Sequence, residues 1–236
     1  MFLVKKLLRT LQWIVILFLS TSVLAVVAYK RLPVKVTPLM LLRCGQQVLR
    51  GEQVRLRHHW VALEDISPYL PEAVMCTEDA RFLQHSGFDF KQISRAYEEG
   101  KEGKRQRGAS TISQQTAKNV FLWPGRSWVR KGFEAYFTVL IELVWGKRRI
   151  MEVYLNSIEM GDGVYGAEAC AQCKFGCEAS ELTRLQAALI AISLPNPLKR
   201  DCAQPSPYML RRQTKVVGEM KWIEQTQALG DLSVFR

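Results

Sequence analysis

Residues 78–87 read E-D-A-R-F-L-Q-H-S-G, and the rest of the chain is organised around them. A helix beginning near Pro71 would carry this run, because residues three, four and seven apart share one helical face. Val74, Glu78 and Phe82 then form a stripe, with His85 three residues further on. One carboxylate lies between two apolar neighbours. An apolar setting disfavours its charged form and raises its pKa, which suits a group that moves protons near neutral pH. Gly87 is a natural helix stop. An acidic face of a surface helix, with Val74 and Phe82 in the core, fits the same residues, so the neighbouring segments have to decide.

Downstream, residues 110–115 read S-T-I-S-Q-Q. Thr111 and Gln114 have capping-box spacing, in which hydroxyl and amide satisfy the free backbone N–H groups of a helix start. Gln114, Gln115, Lys118 and Asn119 then form a polar, singly positive face, rimmed by Ile112, Val120, Phe121 and Leu122. A helix N-terminus with a lysine nearby suits an anion. Residues 130–156 read as a long helix with a possible break at Gly146 and an apolar stripe of Phe133, Phe137, Leu140, Ile141 and Val144. Glu134 follows Arg130 by four and Lys131 by three, a spacing that keeps its carboxylate ionised. Arg148 and Glu152 have the spacing of a further pair.

Between these segments, residues 100–108 (G-K-E-G-K-R-Q-R-G) contain no apolar side chain. They read as a mobile loop, either gating a substrate or simply connecting. Residues 67–72 give a helix start, 88–99 another helix, 161–166 (G-D-G-V-Y-G) a turn with room for a phosphate, and 182–194 an apolar helix ending at Pro195. Residues 208–229 form a last amphipathic helix. Strand signal is limited to 34–36 and 53–57. The fold class is therefore mainly α.

The chain has 236 residues, 48% of them hydrophobic, enough for one substantial core. Residues 11–29 carry no charge, and 19 helical residues span roughly 28 Å, close to the bilayer core. Trp13 and Tyr29 sit near the ends of this run, where aromatic rings favour the interface. Lys5, Lys6 and Arg9 precede it and Lys30 and Arg31 follow. An uncleaved anchor with a cytoplasmic N-terminus fits better than a cleaved signal peptide, since no A-x-A site follows. The segments are thus a cytoplasmic start at 1–10, an anchor at 11–29, a linker at 30–59 and a domain at 60–236.

The net charge is +11. Residues 1–31 hold five basic and no acidic side chains, so the remainder keeps 28 basic against 22 acidic, or +6. A basic domain tied to a membrane points to anionic lipid or an anionic substrate. No nucleic-acid-binding motif is present. Of the six cysteines, Cys170, Cys173 and Cys177 read C-x-x-C-x-x-x-C. Three readings stay open for them: small packing residues, a disulfide, or metal ligands joined by Cys202.

Taken together, the segments resemble the peptidoglycan glycosyltransferases of the lysozyme-like superfamily, in their monofunctional, membrane-anchored form. The match runs in order through residues 78–87, R-G-A-S-T-I-S-Q-Q-T-A-K-N (107–119), R-K-G-F-E (130–134), K-R-R-I-M-E-V-Y-L-N (147–156), G-V-Y-G (163–166) and P-S-P-Y-M-L-R-R-Q (205–213). It covers roughly residues 60–220. No S-x-x-K or K-T-G of a penicillin-binding domain occurs.

The resemblance implies polymerisation of lipid II into β-1,4-linked glycan strands, with release of undecaprenyl pyrophosphate. The setting it implies is the periplasmic side of the cell inner membrane. By this likeness Glu78 is the general base and Glu134 the second carboxylate, orienting the donor or a divalent cation (Mg or Mn) if one assists. Asp79, Phe82 and His85 would shape one side of the cleft. Thr111, Gln115, Lys118 and Asn119 would line the donor site, with Lys118 and Arg130 on the pyrophosphate. Membrane lipids, the growing glycan strand and proteins of cell division or elongation are the implied partners. Cys76, Thr77, Cys170, Lys174, Cys177 and Gln186 depart from the family pattern, none of them at a proposed catalytic position. A peptidoglycan hydrolase of similar fold and a non-catalytic scaffold are the rival functions. The donor segment at 107–119 speaks against a hydrolase, which needs no pyrophosphate site.

Overall fold

A computed structural model describes residues 2–103, 108–125 and 127–227, with side chains for 4–103, 108–125 and 127–221 among them. The chain divides into two compact units, residues 1–33 and 34–236. The first is one helix, α1 (Phe2–Tyr29), of which Val4–Tyr29 is long and apolar enough to cross a membrane. It begins nine residues before the charge-free run, because the flanking lysines and leucines are good helix formers. Leu7, Leu11, Trp13, Leu17 and Leu24 are exposed along it.

The second unit opens with α2 (Pro38–Leu49), where the sequence reading had a linker with a strand at 34–36. Thr37 caps it, its hydroxyl accepting from Met40 N at 3.3 Å, and Pro38 stands in the first turn. The second expected strand shrinks to β1 (Arg57–His58). β1 pairs in parallel with β3 (Val164–Tyr165), which pairs antiparallel with β2 (Glu159–Gly161). The 161–166 turn serves this small sheet. A Cβ on Gly166 would stand 2.7 Å from the Asn156 carbonyl oxygen, and one on Gly163 would overlap the Arg55 backbone. These glycines admit backbone rather than a phosphate.

The helices that matter form two groups. In one, α3 (Tyr69–Glu78) packs on α9 (Arg184–Ser193) and α10 (Pro207–Gln227). Six consecutive residues of α3, 70–75, are buried, as are seven of α9, 187–193. A helix buried on all sides belongs to a core. Ala187, Ala188 and Ala191 leave room for close approach, and each fully buried Leu or Val contributes about 1.5–3 kcal/mol. In the other group, α5 (Ile112–Phe121) packs on α6 (Trp128–Val144) and α7 (Lys147–Ser157), with Phe121 stacked on Phe137 at 4.4 Å. Gly146 separates α6 from α7 as foreseen. On α6 the expected stripe is deepest at Phe137 and Ile141, with Phe133, Leu140 and Val144 half-buried. α4 (Phe90–Lys101) and α8 (Ala167–Phe175) complete the unit. Of the loop expected at 100–108, Gly100 and Lys101 instead end α4, and residues 104–107 lie outside the described residues, as do 228–229 of the last helix.

Helix α3 corrects one expectation. It ends at Glu78, so Phe82 does not continue its face but lies in a separate 3-10 turn, Phe82–Gln84. Asp79 leaves helical geometry (φ −159°, ψ 76°) because its carboxylate is drawn to Ile112 N at 3.0 Å and to His85 Nε2 at 3.0 Å. Gly87 therefore stops no helix. Its φ of 90° turns the chain against α6, where a Cβ would lie 2.7 Å from Thr138 Cγ2.

Candidate active site

The C-terminus of α3 meets the N-terminal half of α5, and Glu78 stands at the junction. Its Oε2 accepts from Gln115 Nε2 at 2.9 Å, and Gln115 Oε1 in turn accepts from the buried Tyr154 hydroxyl at 3.3 Å. Burial raises the Glu78 pKa above the ordinary carboxylate value; the Gln115 hydrogen bond and the Lys118 charge oppose that rise without cancelling it. The carboxylate lies on the wall of a cavity of about 180 Å³ lined by Thr77, Asp79, Asp89, Gln92 and Thr111 among others.

Helix α5 is fixed at its start by the foreseen capping box. Thr111 accepts from Gln114 N at 3.2 Å and Gln114 Oε1 from Thr111 N at 3.0 Å. The Thr111 hydroxyl also donates to Gly87 O at 2.6 Å. Three turns of one helix thus carry Thr111 and Gln115 to the Glu78 side, and Lys118 and Asn119 onward to a second cavity. That cavity, about 310 Å³, is lined by Arg43, Lys118, Asn119, Trp123, Arg130 and Glu159 among others. Lys118 is pushed below its ordinary pKa, first by burial and then by Arg130 and Lys131, against the pull of Glu134 and Glu78. Arg130 Nε is buried without a hydrogen-bond partner. A crowded, partly desolvated set of cations is a ready receptor for a polyanion.

Glu134 is 3% exposed and held from its own helix, by Arg130 Nη1 at 3.4 Å and by Lys131. Both its oxygens face cations, so Glu134 does not fit as a metal ligand, and no step is routed through an ion there. Asp79 and His85 are mutually bonded and nearly sealed. Phe82 is fully buried, with the Lys147 ammonium 4.5 Å over its ring, so it supports the cleft from beneath and offers a ligand no surface.

The sequence reading missed Arg43 and Tyr154 as contributors. Arg43 sits on α2 and forms a two-pronged pair with Glu159 at 3.0 and 3.2 Å. The Thr37-Pro38 helix signal pointed to that element. Tyr154 had no local signal, since its partner lies 39 residues away. Asn156 is a buried joint: its side chain bonds Val61 through both main-chain groups at 3.0 Å, and its carbonyl accepts from His58 Nε2 at 2.9 Å. Glu152 is held by Arg149 at 2.8 Å, while Arg148 reaches Glu64. The cysteines form no metal-binding group among the described residues. Cys170 and Cys202 are buried together, Cys170 donating to Cys202, which pushes the Cys170 thiol up. Lys174 pairs with Asp201 at 2.9 Å, and Gln186 completes the α9 capping box, so these departures from the family pattern serve packing.

A half-buried carboxylate with a raised pKa beside a cationic cavity, in a mainly helical domain, is the arrangement that an acid–base catalyst acting next to an anionic group requires. The chain belongs to the transglycosylase family, whose model matches residues 45–221. It is 54% identical over 220 residues to the biosynthetic peptidoglycan transglycosylase of Bacteroides thetaiotaomicron, covering 93% of this chain and 89% of that one. It is 51% identical over 229 residues to the protein of the same description from Caulobacter vibrioides, covering 97% of each. With the one from Pseudomonas putida F1 it shares 44% identity over 229 residues, covering 94% and 95%.

Proposed function

We propose that this chain is a peptidoglycan glycosyltransferase that polymerises lipid II into β-1,4-linked strands and releases undecaprenyl pyrophosphate. The observation that carries the reading is α5 itself, which joins a desolvated Glu78 to a cavity holding Lys118 and Arg130. Glu78 takes the proton from the 4-hydroxyl of the acceptor sugar as that oxygen attacks the anomeric carbon of the donor. The pyrophosphate leaves from the opposite face, so the α linkage becomes β. Charge gathers on the leaving oxygens, and fixed cations there stabilise the transition state more than the ground state. Lys118 and Arg130 meet that charge, Arg43 stands at the rim, and Glu134 holds Arg130 in position.

The setting we infer is the outer face of the cytoplasmic membrane, with α1 as a single-pass anchor and the N-terminus inside. Outside α1, Trp128 is 91% exposed, and Phe90, Ile93 and Tyr97 form an exposed apolar line at i, i+3 and i+7 on α4. Exposed aromatic groups of this kind suit a lipid interface. The test is incubation of detergent-solubilised protein with labelled lipid II. Long, lysozyme-sensitive polymer supports the reading. Release of short sugars from finished wall without use of lipid II would favour a hydrolase.

A further inference from the structure

Three helices each contribute one side chain to a short run of hydrogen bonds that ends at Glu78. Tyr154 on α7 is fully buried, and its hydroxyl donates to Gln115 Oε1 on α5 at 3.3 Å. That amide oxygen is the partner of the hydroxyl among the described residues. The same amide donates from Nε2 to Glu78 Oε2, at the end of α3, at 2.9 Å. The bond engages one oxygen of a half-buried carboxylate that lines the cavity of about 180 Å³.

An amide side chain has two unlike edges, a carbonyl that accepts and an NH₂ group that donates. Turned one way, Gln115 stabilises an ionised Glu78. Turned the other way, its carbonyl faces the carboxylate, and only a protonated Glu78 tolerates that. Nothing in the glutamine itself chooses between the two. The phenol does. Burial, and then the charges of Glu78 and Asp79, raise the Tyr154 pKa well above its ordinary value, so the hydroxyl is a standing donor. Facing the NH₂ edge, that buried O–H would lose its acceptor, which protein interiors rarely allow. The charges around Glu78 do not select an amide edge in this way. Asp79 beside it, Lys118 on α5 and Arg200 ahead of α10 act on the carboxylate directly. From α10, Arg212 and Glu219 act on Cys76, two residues earlier.

We propose that Tyr154 is a positioning residue: by holding the Gln115 carbonyl it keeps the amide N–H on Glu78 Oε2, so that the carboxylate stays ionised and presents Oε1 to the acceptor hydroxyl. Tyr154 touches no substrate and acts only through Gln115. The inference rests on the reading of Glu78 as the base, and it adds what keeps that base in its working form.

The test uses the full chain in detergent as wild type, Tyr154→Phe and Glu78→Gln, since Tyr154→Phe keeps the ring and removes the donor. Two readouts are taken. Carboxyl-labelled glutamate is titrated by carbon-13 NMR, the signal missing from Glu78→Gln identifying Glu78. Polymerisation of labelled lipid II is then followed against pH. Tyr154→Phe should move the Glu78 titration upward by about 0.4–1 pH unit, the size of one net hydrogen bond. The acid limb of its pH–rate profile should move by the same amount, so that rate lost at low pH is largely regained at high pH. A merely structural role would lower the rate equally at every pH and leave the titration unmoved. That result in a folded variant overturns the proposal. A wild type that makes no polymer would instead overturn the polymerase reading, and the titration then decides the amide orientation by itself. If Tyr154→Phe fails to fold, Gln115→Met and the double variant decide. Gln115→Met strands the phenol, so the double variant should melt at the higher temperature, and the opposite order would overturn the proposal.

Discussion

Glu78 is held where solvation disfavours its charge. Its folded pKa lies above the ordinary value of 4.5, burial being the main cause. The sign follows from linkage: between pH 4.5 and the folded pKa the native state binds more protons than the unfolded chain, so stability falls as pH rises through that window. Above it the ionised side chain is a standing cost to the fold. Glu78→Gln is therefore expected to melt at a higher temperature than wild type at pH 7, with the gap closing as pH approaches 4.5 in thermal melts. The same variant should lose about 10²–10⁴-fold in turnover, the usual contribution of a general base. Lys118 mirrors this. Its pKa is depressed by burial, so its charge costs stability at neutral pH, and the cost vanishes above pH 10.5. Lys118→Met should keep the fold and lose about 10²–10³-fold in kcat, the scale of one charge-stabilising donor. A Lys118→Met enzyme with wild-type kinetics would remove the cationic cavity from the mechanism. At this scale the desolvated setting of Glu78 and the pairing of Arg130 with Glu134 were legible from residue type and spacing, whereas the roles proposed for Glu78, Lys118 and Arg130 come from the family resemblance. Tyr154 and Arg43 were not legible, because each acts through a partner distant in the chain.

Helix starts were easier to read than helix ends. Caps are local, and the Thr111–Gln114 box is present in full. Thr111→Ala removes that cap and the bond to Gly87 O, and should destabilise the domain by about 0.5–2 kcal/mol in chemical denaturation. The end of α3 was misplaced because Asp79 is pulled out of the helix by Ile112 N, 33 residues away. No periodicity within 78–87 encodes that bond. The helix stop assigned to Gly87 was wrong for the same reason, although its glycine character is required. At φ 90° and with Thr138 Cγ2 so near, Gly87→Ala should cost about 1–3 kcal/mol. A melt unchanged from wild type would show that the turn can relax. Helix α2 was overlooked because Pro33 and Pro38 suggested a linker, although Thr37-Pro38 is a sound helix start.

As a whole, the chain couples a basic domain to an apolar helix. The charge balance and the 19-residue charge-free run suggest an anchor at 11–29, and residues 34–236 form a compact unit that takes in most of the expected linker at 30–59. A chain beginning at Val34 should still give a helical far-ultraviolet spectrum and a cooperative melt while losing most of its co-sedimentation with lipid vesicles. Full retention on vesicles would mean that the exposed aromatic groups suffice for membrane attachment. The central claim joins both scales: a membrane-bound domain builds glycan from lipid II, with Glu78 as its base. Its most direct test is the pH dependence of lipid II polymerisation by the wild-type chain, with Glu78→Gln alongside. The wild type should lose activity as pH falls through a midpoint above 4.5, and the variant should make almost no polymer at any pH. A variant that polymerises at the wild-type rate would contradict the assignment of Glu78 as the base.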